Sequence, residues 1–188
     1  MDRMLILLIL FALIGSIVKM TGSIFYGSKA LYVDALTCLA NFVALTATIY
    51  YFHLSKIPAD EDHHYGHYRL GFGGTLASLL SYSFVAGLAV STVLLETKPY
   101  SVGILAPLFA GIGFSFYLGA IIVSRRISRH FIPYAVFTVS ELIESFIVII
   151  TSLAGALYTY LIDYSGAVIL VTYLFYELYK VTKDLIIE

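Results

Sequence analysis

The sequence predicts an all-α integral membrane protein with six transmembrane helices. Of its 188 residues, 60% are hydrophobic and 12% are charged, whereas an ordinary soluble domain has roughly 25% charged residues. Six runs of about 20 mostly apolar residues, the length that crosses a bilayer core, are separated by polar breaks. Because a soluble fold of this size cannot bury so much apolar surface, we place all six runs in a lipid bilayer.

The six spans follow one another along nearly the whole chain. The first span resembles a signal peptide, because Arg3 precedes a Leu/Ile run. Residues 19–21 (Lys-Met-Thr) provide no small-residue cleavage site, so we interpret it as a transmembrane span. We expect the spans at residues 4–24, 30–54, 70–95, 102–123, 133–158 and 160–179. The last would end near Tyr179, and the tail after it is too short to fold alone. We therefore expect residues 1–188 to form a single membrane domain without a C-terminal cytoplasmic metal-binding domain.

Positive charges are unevenly divided between the two sides of the predicted bundle. One side carries only Lys29 and Lys98. The other side carries most of the basic residues: Arg3, Lys56, Arg69, Arg125, Arg126, Arg129, Lys180 and Lys183. Because the more positive side of a membrane protein faces the cytoplasm, both termini are predicted to be cytoplasmic. For so small a multi-pass chain, the plasma membrane of a prokaryotic cell is the simplest expected location. A formal net charge of -1 leaves no basic excess for nucleic acid, and a single cysteine, Cys38, excludes an internal disulfide.

Acidic side chains inside the predicted spans are the first candidates for function, because a carboxylate at mid-bilayer costs at least about 2.5 kcal/mol. On the second span, Asp34, Thr37 and Asn41 share one helical face. On the fifth span, Glu141 and Glu144 lie one turn apart. At 1.5 Å per residue, Asn41 lies about 16 Å from one surface and Glu141 about 12 Å from the other, so the two faces are predicted to meet near the midplane. Secondary transporters bind their substrates at this depth.

Structural roles are open alternatives for some of these polar residues. A buried glutamic acid can be a protonated hydrogen-bond donor to a neighbouring helix, and Asp34 could instead pair with Lys29 or cap the second span. Glu96 and Asp163 lie at span ends, where we expect them to be solvated. Cys38 is expected to be a packing residue rather than a metal ligand.

The predicted cytoplasmic loop between the second and third spans contains a second group of candidate ligands. Asp60, His63 and His67 recur at intervals of three and four residues. Further polar residues adjoin them: Glu61, Asp62 and His64. Carboxylate oxygens and imidazole nitrogens gathered in one short loop can bind a divalent first-row cation. A loop whose histidines are merely solvated is the alternative interpretation.

Three stretches of the chain form a recognisable pattern. They are Gly-Ser-Lys-Ala-Leu-Tyr-Val-Asp-Ala at 27–35, Pro-Ala-Asp at 58–60 followed by His-His-Tyr-Gly-His-Tyr-Arg at 63–69, and Ser-Glu-Leu-Ile-Glu-Ser at 140–145. The pattern resembles the signature of the cation diffusion facilitator family, and the resemblance covers essentially the whole chain. It implies a six-helix bundle with internal termini and a cation/proton antiporter that exports a divalent metal such as zinc, usually as a homodimer. It also implies a loop metal site at Asp60, His63 and His67.

The expected transport site departs from the family pattern. Family members normally place His or Asp at the positions of Thr37 and Phe137, and Asp at those of Asn41 and Glu141. Here only Glu141 keeps a carboxylate, and Gly71 stands where many members have Glu. Because tetrahedral zinc requires strong nitrogen, sulfur or carboxylate donors, an ordinary zinc site is not expected.

A membrane-embedded site of altered composition leads to three functional hypotheses. The site would consist of Asn41, Glu141 and Thr37, with Asp34 or Glu144 added. Because its ligand atoms would be oxygens, it would favour manganese or magnesium over zinc. The identity of the ion is left open among zinc, manganese and iron. Glu141 and Glu144 would couple transport to protons, because a bound cation displaces a carboxyl proton. The leading hypothesis is therefore divalent-cation efflux by proton antiport, a transport function and not an enzymatic one. The alternative is a transport-incompetent relative that binds metal through the loop and acts as a sensor or partner subunit. Transport of a solute other than a metal, with the acids as a proton relay, is the third.

Overall fold

The computed structural model describes residues 3–58, 67–95, 98–126 and 132–187, and within them every side chain except those of residues 68, 132–138 and 184–187. Six long helices account for most of this chain: α1 (Arg3–Tyr26), α2 (Lys29–Ser55), α3 (Phe72–Leu95), α4 (Ala106–Arg126), α5 (Ile132–Leu157) and α6 (Tyr160–Ile187). A short 3-10 turn, Tyr68–Gly71, leads into α3, and the described residues contain no β-strand. Each helix is long and apolar enough to cross a membrane, which confirms the predicted all-α architecture with six spans.

Most helix ends fall within a few residues of their predicted positions, and two differ more. α4 begins at Ala106 because residues 98–105 pass over the α1–α2 connection, where the Gly103 amide donates to the Tyr26 carbonyl at 2.8 Å. α6 continues to Ile187, eight residues beyond the predicted end of the span near Tyr179. Hydropathy marks where a helix leaves the apolar layer, whereas the hydrogen bonds within the helix continue beyond that point.

Helix α2 is the central helix of the bundle. It packs against α1, α3, α5 and α6, and 61% of its most apolar stretch is buried, against 33% or less in the other five helices. Those five pack around it in the order α3, α6, α5, α4 and α1. Polar groups carried by α2 are therefore enclosed by other helices along much of its length.

The outer surface of the bundle is apolar, and charged side chains are buried within its largely apolar interior. Large hydrophobic side chains such as Phe84, Ile122 and Phe146 are more than half exposed. The buried side chains include charged ones: Lys19, Asp34, Glu141, Glu144 and Glu177. A water-soluble fold has the opposite arrangement, because apolar surface in water is unfavourable. The outer surface is therefore suited to lipid, as a multi-pass membrane protein requires.

The α1–α2, α3–α4 and α5–α6 connections meet at one end of the bundle, which we call the turn end. Gly27 has a φ of +65°, and a Cβ at this position would lie 2.7 Å from the Ser101 carbonyl oxygen. Glycine is therefore required both by the backbone conformation and by the close approach. Ser28 caps α2, since its Oγ accepts a hydrogen bond from the Leu31 amide at 3.1 Å. The Gly-Ser pair thus closes the turn and starts the central helix.

Asp163, near the start of α6, holds the turn end together. It is fully buried, and its Oδ1 accepts a hydrogen bond from Ser28 Oγ at 2.6 Å. Its Oδ2 accepts from the Lys29 amide and from the Tyr100 hydroxyl, both at 2.8 Å. Burial and the adjacent carboxylate raise the pKa of the Tyr100 phenol well above its usual value, so Tyr100 remains a donor. The expectation that Asp163 is solvated is wrong, because this carboxylate caps a neighbouring helix; Glu96 lies outside the described residues.

Candidate cation site

A lysine lies in the interior of the bundle. Lys19 of α1 is fully buried, and its Nζ lies 3.0 Å from Asp34 Oδ1, which forms an ion pair between α1 and α2. The same ammonium donates to Ser145 Oγ of α5 at 2.6 Å and to Cys38 Sγ of α2 at 3.0 Å. These three acceptors match the three N–H bonds of an ammonium group. One cationic side chain therefore links three helices.

Helix α4 provides the space that Lys19 occupies. A Cβ at Gly113 would lie 2.5 Å from Lys19 Cγ, so the lysine stem fills the position next to this glycine. The Tyr117 ring, one turn further along α4, has its centroid 4.7 Å from Nζ and makes a cation–π contact. The Tyr117 hydroxyl lies 2.9 Å from Ser16 Oγ and donates to the Cys38 carbonyl at 3.2 Å. Lys19 is thus held inside the bundle and does not extend to the surface.

Asp34 and Glu141, two of the predicted site residues, belong to the same polar cluster. Cys38 lies between them, with its Sγ 3.8 Å from Asp34 Oδ1 and 3.6 Å from Glu141 Oε2. Asp34 is fully buried and Glu141 is 2% exposed. Because Asp34 pairs with Lys19, the alternative that it pairs with Lys29 is wrong; the Lys29 ammonium donates to a carbonyl of α3 instead. The polar faces of α2 and α5 do meet, with Cys38 at their contact.

Thr37 and Asn41 are buried on α2, and each has a hydrogen-bond partner outside the group formed by Lys19, Asp34 and Glu141. Thr37 Oγ1 donates to the Val33 carbonyl of its own helix at 3.1 Å. Asn41 Oδ1 accepts a hydrogen bond from the Tyr82 hydroxyl of α3, while Asn41 Nδ2 has no partner among the described residues. Thr37 and Asn41 therefore carry neutral oxygen atoms of the kind that a hard cation prefers, on the same helix as Asp34, but the described residues show no hydrogen bond from either side chain to the Asp34 or Glu141 carboxyl group.

A second pair of carboxyl groups extends this cluster towards α6. Glu144 lies one turn after Glu141 on α5 and is 2% exposed, and its Oε1 lacks a hydrogen-bond partner within the described part of the chain. Glu177 of α6 is its acidic neighbour and is 6% exposed. Ser140 and Tyr173 interact with Glu177. Buried carboxyl groups therefore run from α2 through α5 to α6.

Most of the predicted loop site lies outside the residues that the structure describes. Asp60 and His63 lie outside the described residues, and so does the side chain of Phe137. His67 is described; it is half-buried and directly precedes the 3-10 turn before α3. In residues 3–58, 67–95, 98–126 and 132–187, no three His, Cys, Asp or Glu side chains are grouped closely enough to hold a metal ion.

The fold and the polar cluster together define a class of protein: a multi-pass membrane protein that encloses charged side chains within a helical bundle. Comparison with known proteins specifies the class further. A family model described as the cation efflux transmembrane domain matches residues 5–187. The chain belongs to this family, which confirms the resemblance seen in the sequence motifs.

One relative is similar over a shorter region. It is the Bacillus subtilis (strain 168) protein described as "Uncharacterized transporter YdbO", which is 40% identical over 70 residues. The match covers 37% of this chain and 23% of the relative. The similarity therefore extends over less than a quarter of the relative's length.

Sequence reasoning missed several residues of the cluster. Lys19 and Glu177 are charged residues within predicted spans, so the rule that selected Glu141 would have selected them too. Tyr82 and Ser145 gave no comparable signal, because Tyr and Ser occur throughout membrane helices. Their roles depend on which helices are neighbours, and the spacing along one helix does not contain that information.

Proposed function

We propose that this chain is a secondary transporter that moves a divalent cation out of the cytoplasm in exchange for protons. An imbalance of buried charge is the observation that carries this proposal. Four buried carboxyl groups belong to the cluster: Asp34, Glu141, Glu144 and Glu177. Lys19 is the one buried ammonium that the described residues place among them.

The imbalance has a chemical consequence. A buried carboxylate without a counter-charge is strongly unfavourable, so each carboxyl group that Lys19 does not neutralise must hold a proton or a cation. These two ligands exclude each other, because a cation binds the ionised form and therefore releases the proton. A bundle that opens this cluster to each side of the membrane in turn would perform cation/proton antiport.

The ligand atoms available in the cluster rank the candidate ions by expected affinity. The carboxyl oxygens of Asp34 and Glu141 and the neutral oxygens of Thr37 and Asn41 are ligands that suit manganese or magnesium. Zinc and iron bind more strongly where nitrogen or sulfur donors are present, and Cys38 supplies one thiol. We therefore propose manganese as the first ion to test, with magnesium, zinc and iron as comparisons.

Flux through proteoliposomes tests the proposal. Purified protein is reconstituted with a pH-sensitive dye inside the vesicles, and manganese is added outside. We expect manganese-dependent proton movement in the wild type and a decrease of at least about tenfold in Glu141→Gln, which keeps the size of the side chain but cannot ionise. Glu96→Gln makes the same chemical change between α3 and α4 and should leave the signal intact. Proton movement of wild-type size in Glu141→Gln would contradict the proposal.

A second candidate function is binding of metal without transport, as a sensor or partner subunit. It is favoured by the ammonium of Lys19, which already neutralises Asp34 and reduces the need for an added cation. The same vesicles distinguish the two functions. Saturable metal binding with no ion movement in any member of the ion series, together with a second chain co-purifying at a fixed ratio, would favour the sensor or partner role.

The cytoplasmic loop is proposed as a separate metal site. Replacing Asp60, His63 and His67 together by alanine should lower metal binding but leave manganese flux within about twofold, if the embedded cluster is the transport site. Loss of flux in this triple variant would move the transport site to the loop.

Topology and assembly are parts of the same proposal. We propose cytoplasmic termini and a homodimer. Protease protection of terminal tags in oriented vesicles tests the topology, and light scattering in detergent tests the assembly. Tags protected inside vesicles that expose their cytoplasmic face, or a monomeric mass, would contradict the respective part.

A further inference from the structure

We propose that Lys19 is a built-in cation that competes with the transported ion for Asp34 and thereby sets the affinity of the site. The inference rests on the proposed function, because it names the residue that controls cation binding at that same cluster. It concerns binding, however, and binding can be measured separately from transport.

The surroundings of the Lys19 ammonium resemble the coordination of a bound cation. Its acceptors lie at 2.6 Å (Ser145 Oγ), 3.0 Å (Asp34 Oδ1) and 3.0 Å (Cys38 Sγ). These acceptors belong to α2 and α5, the two helices that also carry most of the predicted metal ligands. The ammonium therefore joins the same helices that a transported ion would join, and it lies on the same carboxylate.

The Asp34 carboxylate is only partly satisfied by this lysine. Its Oδ1 pairs with Lys19, whereas its Oδ2 is buried and has no hydrogen-bond partner among the described residues. An entering cation would find an open carboxylate oxygen, but it would also meet the positive charge of Lys19 within a few ångströms. In a poorly screened interior this repulsion is large, so a cation can bind tightly only when the ammonium moves away.

Side chains make the contacts that hold the Lys19 ammonium, so we infer that this lysine can move without a change in the backbone. Its four-carbon stem packs against Gly113, and its ammonium is held by side-chain groups and by the Tyr117 ring rather than by backbone atoms. Rotation of the stem would release Asp34 while the ammonium stays near Glu141, whose Oε2 lies 3.6 Å from Cys38 Sγ, one of the present acceptors of the ammonium. Lys19 is therefore a specificity-determining residue: it disfavours weakly attracted cations and admits those that can displace it.

Cation binding to a charge-neutral variant tests the inference. Wild type and Lys19→Met, which keeps an unbranched stem but lacks the terminal ammonium, are compared by calorimetric titration with manganese and with zinc in lipid nanodiscs. We expect at least about tenfold tighter binding of manganese by Lys19→Met, because both the competitor and the repulsion are gone. Lys29→Met is the matched control, since it removes the same charge from the turn end, and it should bind within about twofold of the wild type. Equal or weaker binding by folded Lys19→Met would overturn the inference.

Two further variants keep the test decisive. In Lys19→Met/Asp34→Asn the gain in affinity should disappear, because the carboxylate that binds the cation is gone; a gain that persists would overturn the competition for Asp34. If Lys19→Met unfolds because Asp34 has lost its counter-charge, added manganese or zinc should restore its melting temperature towards that of the wild type. Failure of both ions to stabilise it would also overturn the inference.

The outcomes separate this inference from the proposed function. Tighter binding by Lys19→Met with no flux in any protein would support the competition and reject transport. Flux that depends on Glu141, together with unchanged affinity in Lys19→Met, would support transport and reject the competition.

Discussion

Replacement of Asp163 by asparagine should weaken the whole turn end, because one carboxylate joins three connections there. Its two oxygens accept hydrogen bonds from Ser28 Oγ at 2.6 Å, the Lys29 amide at 2.8 Å and the Tyr100 hydroxyl at 2.8 Å. The Ala30 amide lies further away, at 3.4 Å. Asparagine keeps the shape but loses the charge and presents an NH₂ group to groups that are themselves donors.

The size of the effect follows from these contacts. A hydrogen bond to a charged group contributes about 1 kcal/mol more than a neutral one, and three short bonds are affected. The negative charge also stabilises the start of α2, which adds roughly 0.5 kcal/mol. We therefore expect Asp163→Asn to lower the free energy of unfolding by about 3 kcal/mol. For a chain of this length that corresponds to a melting temperature roughly 6 to 12 °C lower.

Thermal unfolding in detergent measures this prediction. Ser165→Ala is a suitable control, because Ser165 is exposed on the same helix and its Oγ donates only to the Ile162 carbonyl of that helix. It should change stability by less than about 0.5 kcal/mol. Tyr100→Phe and the double variant complete a cycle in which the two residues should show a coupling energy near 1 kcal/mol. A melting temperature of Asp163→Asn within about 2 °C of the wild type, which corresponds to about 0.5 to 1 kcal/mol, would refute the account of Asp163 as the anchor of the turn end.

Two further perturbations address the interior. Gly113→Ala should lower the free energy of unfolding by about 1 to 3 kcal/mol, because the new methyl group would collide with the stem of Lys19. Gly111→Ala on the same helix has open space around the new methyl group and should be nearly neutral. Equal melting temperatures of the two variants would contradict this packing. Tyr82→Phe removes the hydroxyl that donates to Asn41 Oδ1, so that both polar side-chain atoms of Asn41 would lack a partner among the described residues. We expect it to lower the free energy of unfolding by about 1 to 3 kcal/mol in a chemical unfolding experiment. An unchanged free energy of unfolding would show that this hydrogen bond contributes little.

The sequence was informative about the spans and about three of the buried acids, Asp34, Glu141 and Glu144. Long apolar runs determined the number of helices, and the cost of a charge in lipid selected Glu141 and Glu144 before any fold was known. These arguments depend on single helices and on the solvent around them. They require no knowledge of which helices are neighbours.

Pairings between helices were not predictable in the same way. The sequence left open a pairing of Asp34 with Lys29, five residues away along the chain. Its partner is instead Lys19 on the preceding helix, because the rotation of α1 about its axis decides where a long side chain points. Asp163 appeared solvated at a span end, yet it caps α2. In both cases the partner of a charged group lies on another helix. Spacing along the sequence does not show which helices are neighbours, so these pairs could not be predicted.

Cys38 gives the unmodified protein its own spectroscopic reporter. It is the one cysteine in the sequence, and its thiol contacts both the Lys19 ammonium and the Glu141 carboxyl group. The S–H stretching band in the infrared would therefore arise from a single oscillator within the cluster and would respond to any change in either neighbour. Movements of charge during turnover could be followed in real time in the native chain, without a label.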